Sequence, residues 1–180
     1  VMMVSLPVRD EVFAAFGVFN KTGDFTSPDI KLAKAIAGYV GARLESAFLH
    51  KEALERARME TEMDIARQVQ IAILPQSLPK VTGLDIYATS TPALEVGGDF
   101  FDVIDRSEDS LVFAVGDVTG KGMPAALLMS MTHTVIKSAS RKMPFSHPHQ
   151  VLNRLNHDLF NDFSNVGMFS TVFLGLLDRK

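Results

Sequence analysis

The hydrophobic and polar positions of the chain change rhythm three times. Apolar runs over residues 2–8 and 12–19, parted by Arg9-Asp10-Glu11, predict two strands, and Asn20-Lys21-Thr22-Gly23-Asp24 closes them with a turn. Ser27-Pro28-Asp29 then predicts a helix start, with Ser27 as cap, proline at the first position and an acid in the first turn. Ile30, Leu32, Ala33, Ile36, Ala37 and Val40 recur at helical spacing. From about Gly41 the helix continues to Leu74 without Pro or a further Gly. This stretch is dense in charge, and Leu44, Phe48, Leu54, Ala57, Ile65 and Val69 form an imperfect apolar stripe along it. A helix of roughly 30 residues with so narrow a stripe usually pairs with another helix, often a copy of itself. The plainer alternative is a solvated helix that packs on its own domain.

Pro75, Leu78-Pro79 and Gly83 end that helix. Short apolar runs then predict strands over 84–90, 100–104 and 111–115, with Asp105-Arg106-Ser107-Glu108-Asp109-Ser110 as the turn between the last two. Residues 124–140 predict a helix with Leu127, Leu128, Met131 and Val135 facing inward and methionines as core filler. After a loop over 141–149, residues 151–163 predict a second helix with Leu152, Leu155, Leu159 and Phe160 on its apolar face. Residues 169–178 are a largely apolar strand suited to a sheet interior. The fold class is α/β (α+β), in a chain of two parts.

Composition narrows this only a little. The 180 residues are 47% hydrophobic and 22% charged, with net charge −3, which is ordinary globular composition. Mild acidity gives no nucleic-acid footprint. With no cysteine, disulfides, thiolate zinc sites and cysteine nucleophiles are excluded. No apolar run reaches the ~18 residues of a membrane span and no signal peptide is visible, so a cytoplasmic location is expected. The chain opens directly on Val1-Met2-Met3-Val4 and closes just after a strand, so it reads as a fragment of a longer protein.

Candidate chemistry concentrates in Glu95-Val96-Gly97-Gly98-Asp99-Phe100-Phe101-Asp102 and Leu111-Val112-Phe113-Ala114-Val115-Gly116-Asp117-Val118-Thr119-Gly120-Lys121-Gly122. As neighbouring antiparallel strands, these bring Asp99 and Asp117 to one end of a sheet. Two carboxylates held close suit a hard divalent cation such as Mg²⁺ or Mn²⁺. Their glycines let backbone approach an ion or substrate. Either Asp alone reads as a turn former; the ordered pair reads as a metal site. His147 and His149 flank Pro148 without a third ligand nearby, and they read, with His133 and His157, as ordinary loop or helix residues.

Gly-Gly-Asp-Phe-Phe-Asp, a short hairpin and then Gly-Asp-Val-Thr-Gly-Lys-Gly-Met-Pro-Ala-Ala-Leu-Leu-Met resemble the PPM-type metal-dependent protein serine/threonine phosphatases, nearest to the bacterial SpoIIE/RsbU branch. The resemblance runs from about Glu60 to Lys180, and Met63-Asp64-Ile65-Ala66-Arg67-Gln68-Val69-Gln70-Ile71-Ala72-Ile73-Leu74-Pro75 is also typical of that branch. The first motif shares letters with the diguanylate-cyclase signature, but Phe100 stands where that signature has an acid, and the second motif has no place there.

The resemblance implies an α/β sandwich with a two-ion Mn²⁺ or Mg²⁺ centre. Asp117 would bridge the ions, Asp99 would bind the second, and the Val118 carbonyl would complete that ion's shell. Asp102, Lys121, Gly98 and Gly116 are candidates for supporting roles. The family's further aspartates come from strands beyond Asp178, so this stretch alone is expected to bind metal weakly and to have little activity. The implied substrate is a phosphorylated regulatory protein of the anti-sigma-factor-antagonist type.

Residues 1–45 resemble the closing part of a GAF sensor domain, on the strand, strand, Asp-Phe-Thr-Ser-Pro-Asp and Ala-rich helix order. Residues 46–75 are then a linker helix, a possible coiled coil that makes a homodimer, and 76–180 are the first part of the phosphatase domain. The competing reading is a non-catalytic dimeric signalling module whose phosphatase-like part only binds protein. Retention of both Asp99 and Asp117 with their glycines argues against it.

Overall fold

The computed structural model describes residues 1–8, 11–92, 94–107, 110–142 and 147–178. Arg9 and Asp10 of the first expected turn, and Glu108 and Asp109 of the second, lie outside them. Two compact units follow each other, Val1–Glu60 and Thr61–Lys180.

In the first unit β1 (Met2–Val8) pairs antiparallel with β2 (Glu11–Val18). Alternation along β1 buries Val4, Leu6 and Val8, and Val4 and Leu6 pack with Ala33 and Ala37 of the helix that follows. Small alanines on that helix face let it come close to the hairpin. The helix, α1, runs Ser27–Ile73, 47 residues without a break. Its cap is Thr26, one residue earlier than the sequence suggested. The Asp29 carboxylate accepts the Thr26 main-chain N–H at 2.7 Å and its hydroxyl at 2.6 Å, the acid-to-cap half of a capping box. Lys21 pairs with the same carboxylate, and these donors, Lys21 foremost, hold Asp29 well below the usual carboxylate range. Further along, Arg56 pairs with Glu52 at 2.8 Å, while Leu54, Ile65 and Val69 of the apolar stripe are exposed.

The second unit holds three antiparallel strands in the order β3-β4-β5: β3 (Phe100–Ser107), β4 (Ser110–Val118) and β5 (Ser170–Asp178). Helices α2 (Met123–Lys142) and α3 (Pro148–Asn165) cover one face of this sheet. Phe100 and Ile104, Val112, Ala114 and Val118, and Leu174 alternate onto that face, where they meet Met129, Ile136, Val151, Leu155 and Leu159. Val115 and Phe173 point the other way and are exposed.

Four expectations are corrected here. Residues 84–90 form no strand; an isolated bridge joins Val81 to Leu84, and 85–92 find no ladder partner among the described strands. The inward face of α2 is shifted from the expected one, although Leu128 is buried and Val135 packs against the core as expected. Leu127 is 60% exposed and Met131 is exposed too, while Met129, Thr132, His133 and Ile136 are buried. The apolar count misled because a threonine and a histidine occupy the true inner face. On α3 the expected inner residue Phe160 is exposed, and Val151 takes its place beside Leu155 and Leu159. The strand over 169–178, expected in a sheet interior, has a ladder neighbour on one side only among the described residues. No helix among the described residues is long and apolar enough to cross a membrane.

Two rings lie over glycines on neighbouring strands. A Cβ at Gly116 would sit 2.3 Å from the Phe100 ring, and one at Gly175 would sit 2.1 Å from the Phe113 ring. Phe100 is buried among the helices, whereas Phe113 is only half-buried and has room to turn. Gly116→Ala is therefore expected to cost about 2–3 kcal/mol of stability by overpacking, and Gly175→Ala clearly less. Urea unfolding midpoints of the two variants check this order.

Candidate functional site

The β3–β4 register sets the site. Phe100 pairs with Gly116, and the Val118 N–H donates to the Gly98 carbonyl at 3.3 Å, so the residues between, Asp99 and Asp117, stand opposite each other where the sheet ends. Their carboxyl groups are within hydrogen-bonding reach. Alternation along the strands puts both on the face away from the helices, at a cleft of about 730 Å³. Phe101, Val115 and Phe173 line it with residues 88–91 and Thr171, the ladder partner of Asp117.

Crowding two acids has an electrostatic cost. Loss of hydration, and then the neighbouring Asp117 carboxyl, push the Asp99 carboxyl above its ordinary value. Here a proton or a cation relieves the repulsion.

Three contacts fix the backbone that carries these acids. The Gln70 side chain, buried near the end of α1, donates to the Gly97 carbonyl at 2.6 Å and accepts the Gly97 N–H at 3.0 Å, two residues before Asp99. A Cβ at Gly98 would come within 2.4 Å of the Val118 carbonyl oxygen, so only glycine fits against that oxygen. Beyond Val118, the Thr119 N–H and hydroxyl both reach the Phe169 carbonyl, at 2.9 and 3.0 Å. Gly120 and Gly122 then turn the chain at φ 94° and 70° into α2.

The expected donors are two carboxylates, which face the cleft, and the main-chain carbonyl of Val118, which is fully buried; all are oxygens. That set fits a hard cation such as Mg²⁺ or Mn²⁺. No group of three His, Asp or Glu side chains able to hold an ion occurs among the described residues. Of the other candidates, Gly98 and Gly116 flank the acids, and Lys121 is exposed in the turn after β4.

Asp102 is not part of the pair. It faces the helices, on the opposite side of the sheet, where its carboxylate is 2.8 Å from His133 Nε2 and 3.6 Å from Lys137 Nζ. Both Asp102 and His133 are buried, and the imidazole stands edge-on to Phe100. Burial pushes the Asp102 carboxyl up, but His133, Lys137 and the Val103 N–H outweigh it and leave the group below its ordinary value. Sequence reading missed this buried pair and the Gln70 clamp. A histidine or glutamine within a helical pattern gives no sign of a partner 27 or 31 residues away.

Residues 107–180 match the family Stage II sporulation protein E (SpoIIE). The phosphoserine phosphatase RsbU of Bacillus subtilis is 38% identical over 117 residues, which span 64% of this chain and 33% of that protein. Over these residues the chain is similar to the SpoIIE family and to this phosphatase. Protein IcfG of Synechocystis sp. is 30% identical over 141 residues, spanning 65% of this chain and 22% of its own length. The chain thus spans a third or less of these two relatives. In fold it resembles the SiaA PP2C domain of Pseudomonas aeruginosa, with a TM-score of 0.59 and 24% identity over 71% of this chain and 52% of that one. The mixed helix and sheet expected from the sequence agrees with that fold, and the SpoIIE/RsbU-type resemblance read from the motifs agrees with the family and phosphatase matches.

The Asp102–His133 pair gives a stability prediction. Asp102→Asn is expected to cost about 3 kcal/mol, as removal of one partner from a buried ion pair does. A carboxyl whose folded pKa is depressed stabilises above its unfolded value of 3.8 and loses that contribution as pH falls through the folded value. The gap between native and variant, followed by urea unfolding, should be full at neutral pH and close in acid below pH 3.8.

Proposed function

We propose that this chain is part of a metal-dependent protein serine/threonine phosphatase governed by an N-terminal sensor. The observation that carries the reading is the Asp99–Asp117 carboxylate pair at an open cleft. Asp117 and Asp99, with the Val118 carbonyl, would hold the Mn²⁺ or Mg²⁺. The chemistry these ions supply when bound is acidification of a water, which becomes the nucleophile toward a phosphoserine or phosphothreonine phosphorus. The chain's own contribution is to hold the two acids together against their repulsion and to offer the substrate an apolar wall of Phe101, Val115 and Phe173.

The substrate is a phosphorylated regulatory protein of the anti-sigma-factor-antagonist type, in a cytoplasmic partner-switching pathway. Similarity to a phosphoserine phosphatase supports the substrate class. The hairpin and first half of α1 are the end of a GAF-like sensor, and α1 pairs with a second copy of itself. The exposed Leu54, Ile65 and Val69 on α1 support that pairing.

The test is hydrolysis of a phosphoserine peptide by the full-length protein, with and without Mn²⁺. Asp117→Asn is expected to lower the metal-dependent rate by more than the roughly 10–100-fold lost when only a ligand's supporting partner is removed, with the fold intact. An inactive, folded protein that still binds its phosphorylated partner would move the assignment to a non-catalytic interaction module.

A further inference from the structure

We propose that Thr119 is a positioning residue that aims the Val118 carbonyl and thereby sets the affinity of the site for a divalent cation. The proposal rests on the reading of Asp99, Asp117 and Val118 as cation ligands. The Val118 C=O and the Thr119 N–H are two ends of one planar trans peptide unit, so they point in opposite directions. The Thr119 N–H donates to the Phe169 carbonyl at 2.9 Å, on the β5 side. The Val118 oxygen is thereby turned to the β3 side, where Gly98 makes room for it.

One bond at the end of a ladder holds a peptide plane weakly, because strand ends open at little free-energy cost. β4–β5 pairing as a ladder stops at Val118 and Ser170. The Thr119 hydroxyl adds two bonds just beyond that point. It donates to the Phe169 carbonyl and accepts the Phe169 N–H, both at 3.0 Å. Phe169 is itself anchored by the turn that ends α3, where Met168 N–H donates to the Phe163 carbonyl at 3.0 Å and Gly167 takes φ 65°. A rotation of the 118–119 peptide breaks the N–H hydrogen bond to Phe169, and the two hydroxyl bonds keep Thr119 and Phe169 together so that this N–H always meets its acceptor; the carbonyl is thereby aimed before any ion arrives. In a site with so few ligands, that preorganisation counts directly in affinity.

The test is titration of the isotope-labelled full-length protein with Mg²⁺, following the carbonyl carbon of Val118 and the carboxyl carbons of Asp99 and Asp117. In the native chain all three should move together. Thr119→Val keeps the shape and loses the hydroxyl; it should weaken Mg²⁺ binding about 10-fold or more and remove the Val118 shift, while core amide resonances stay native. Thr119→Ser keeps the hydroxyl and should retain both. A Thr119→Val chain that binds Mg²⁺ as the native does, with the same Val118 shift, overturns the proposal and leaves Thr119 as a sheet-end staple. If Thr119→Val loses its native spectrum, Thr119→Ala set against Thr119→Ser carries the same comparison. Mg²⁺ that moves neither carboxyl carbon in the native chain would overturn the ligand reading itself, and the proposal with it.

Discussion

Everything at the candidate site depends on the pairing register of β3 and β4. With Phe100 opposite Gly116, the acids one step beyond are forced to face each other, and a slip of one residue would send one of them to the helix-covered face. That register is held by packing rather than by the acids, which repel. The Phe100 ring needs the missing side chain of Gly116, and Ile104, Val112 and Ala114 must all reach the core under α2 and α3. Burial of this inner face is thus what holds the two carboxylates together on the outer one.

The sheet keeps its two faces chemically apart. Inward, an acid is tolerated only because it is neutralised: Asp102 is buried with His133 and Lys137 around it. Outward, Asp99 and Asp117 face each other, and loss of hydration together with the Asp117 carboxyl pushes Asp99 toward the protonated form. The same sheet therefore carries one satisfied acid and one crowded pair. Two crowded carboxylates at an open cleft, on backbone pinned by Gln70 on one flank and Thr119 on the other, are what the proposed cation site requires.

Much of this was legible in the residues. Glycine beside each acid and the short spacing between the two motifs announced both the hairpin and the meeting of Asp99 with Asp117. The 42–74 stretch without Pro or Gly announced the long helix. What stayed hidden was long-range. The cap moved from Ser27 to Thr26 because Asp29 chose the Thr26 donors, a matter of one residue that propensity does not resolve. Residues 84–90 have a strand's composition, but a strand exists only with a partner, and no described strand pairs with them. The shift in the inner face of α2 followed from His133, a polar residue that enters the core because Asp102 waits there. No local pattern encodes a partnership of that kind.

The central claim is that Asp99, Asp117 and the Val118 carbonyl together hold a divalent cation. Anomalous diffraction at the manganese edge, from crystals grown with Mn²⁺, tests it most directly. The account expects a peak in contact with both carboxylates and that carbonyl oxygen. A map with no peak there, or with manganese bound only elsewhere on the protein, would contradict it.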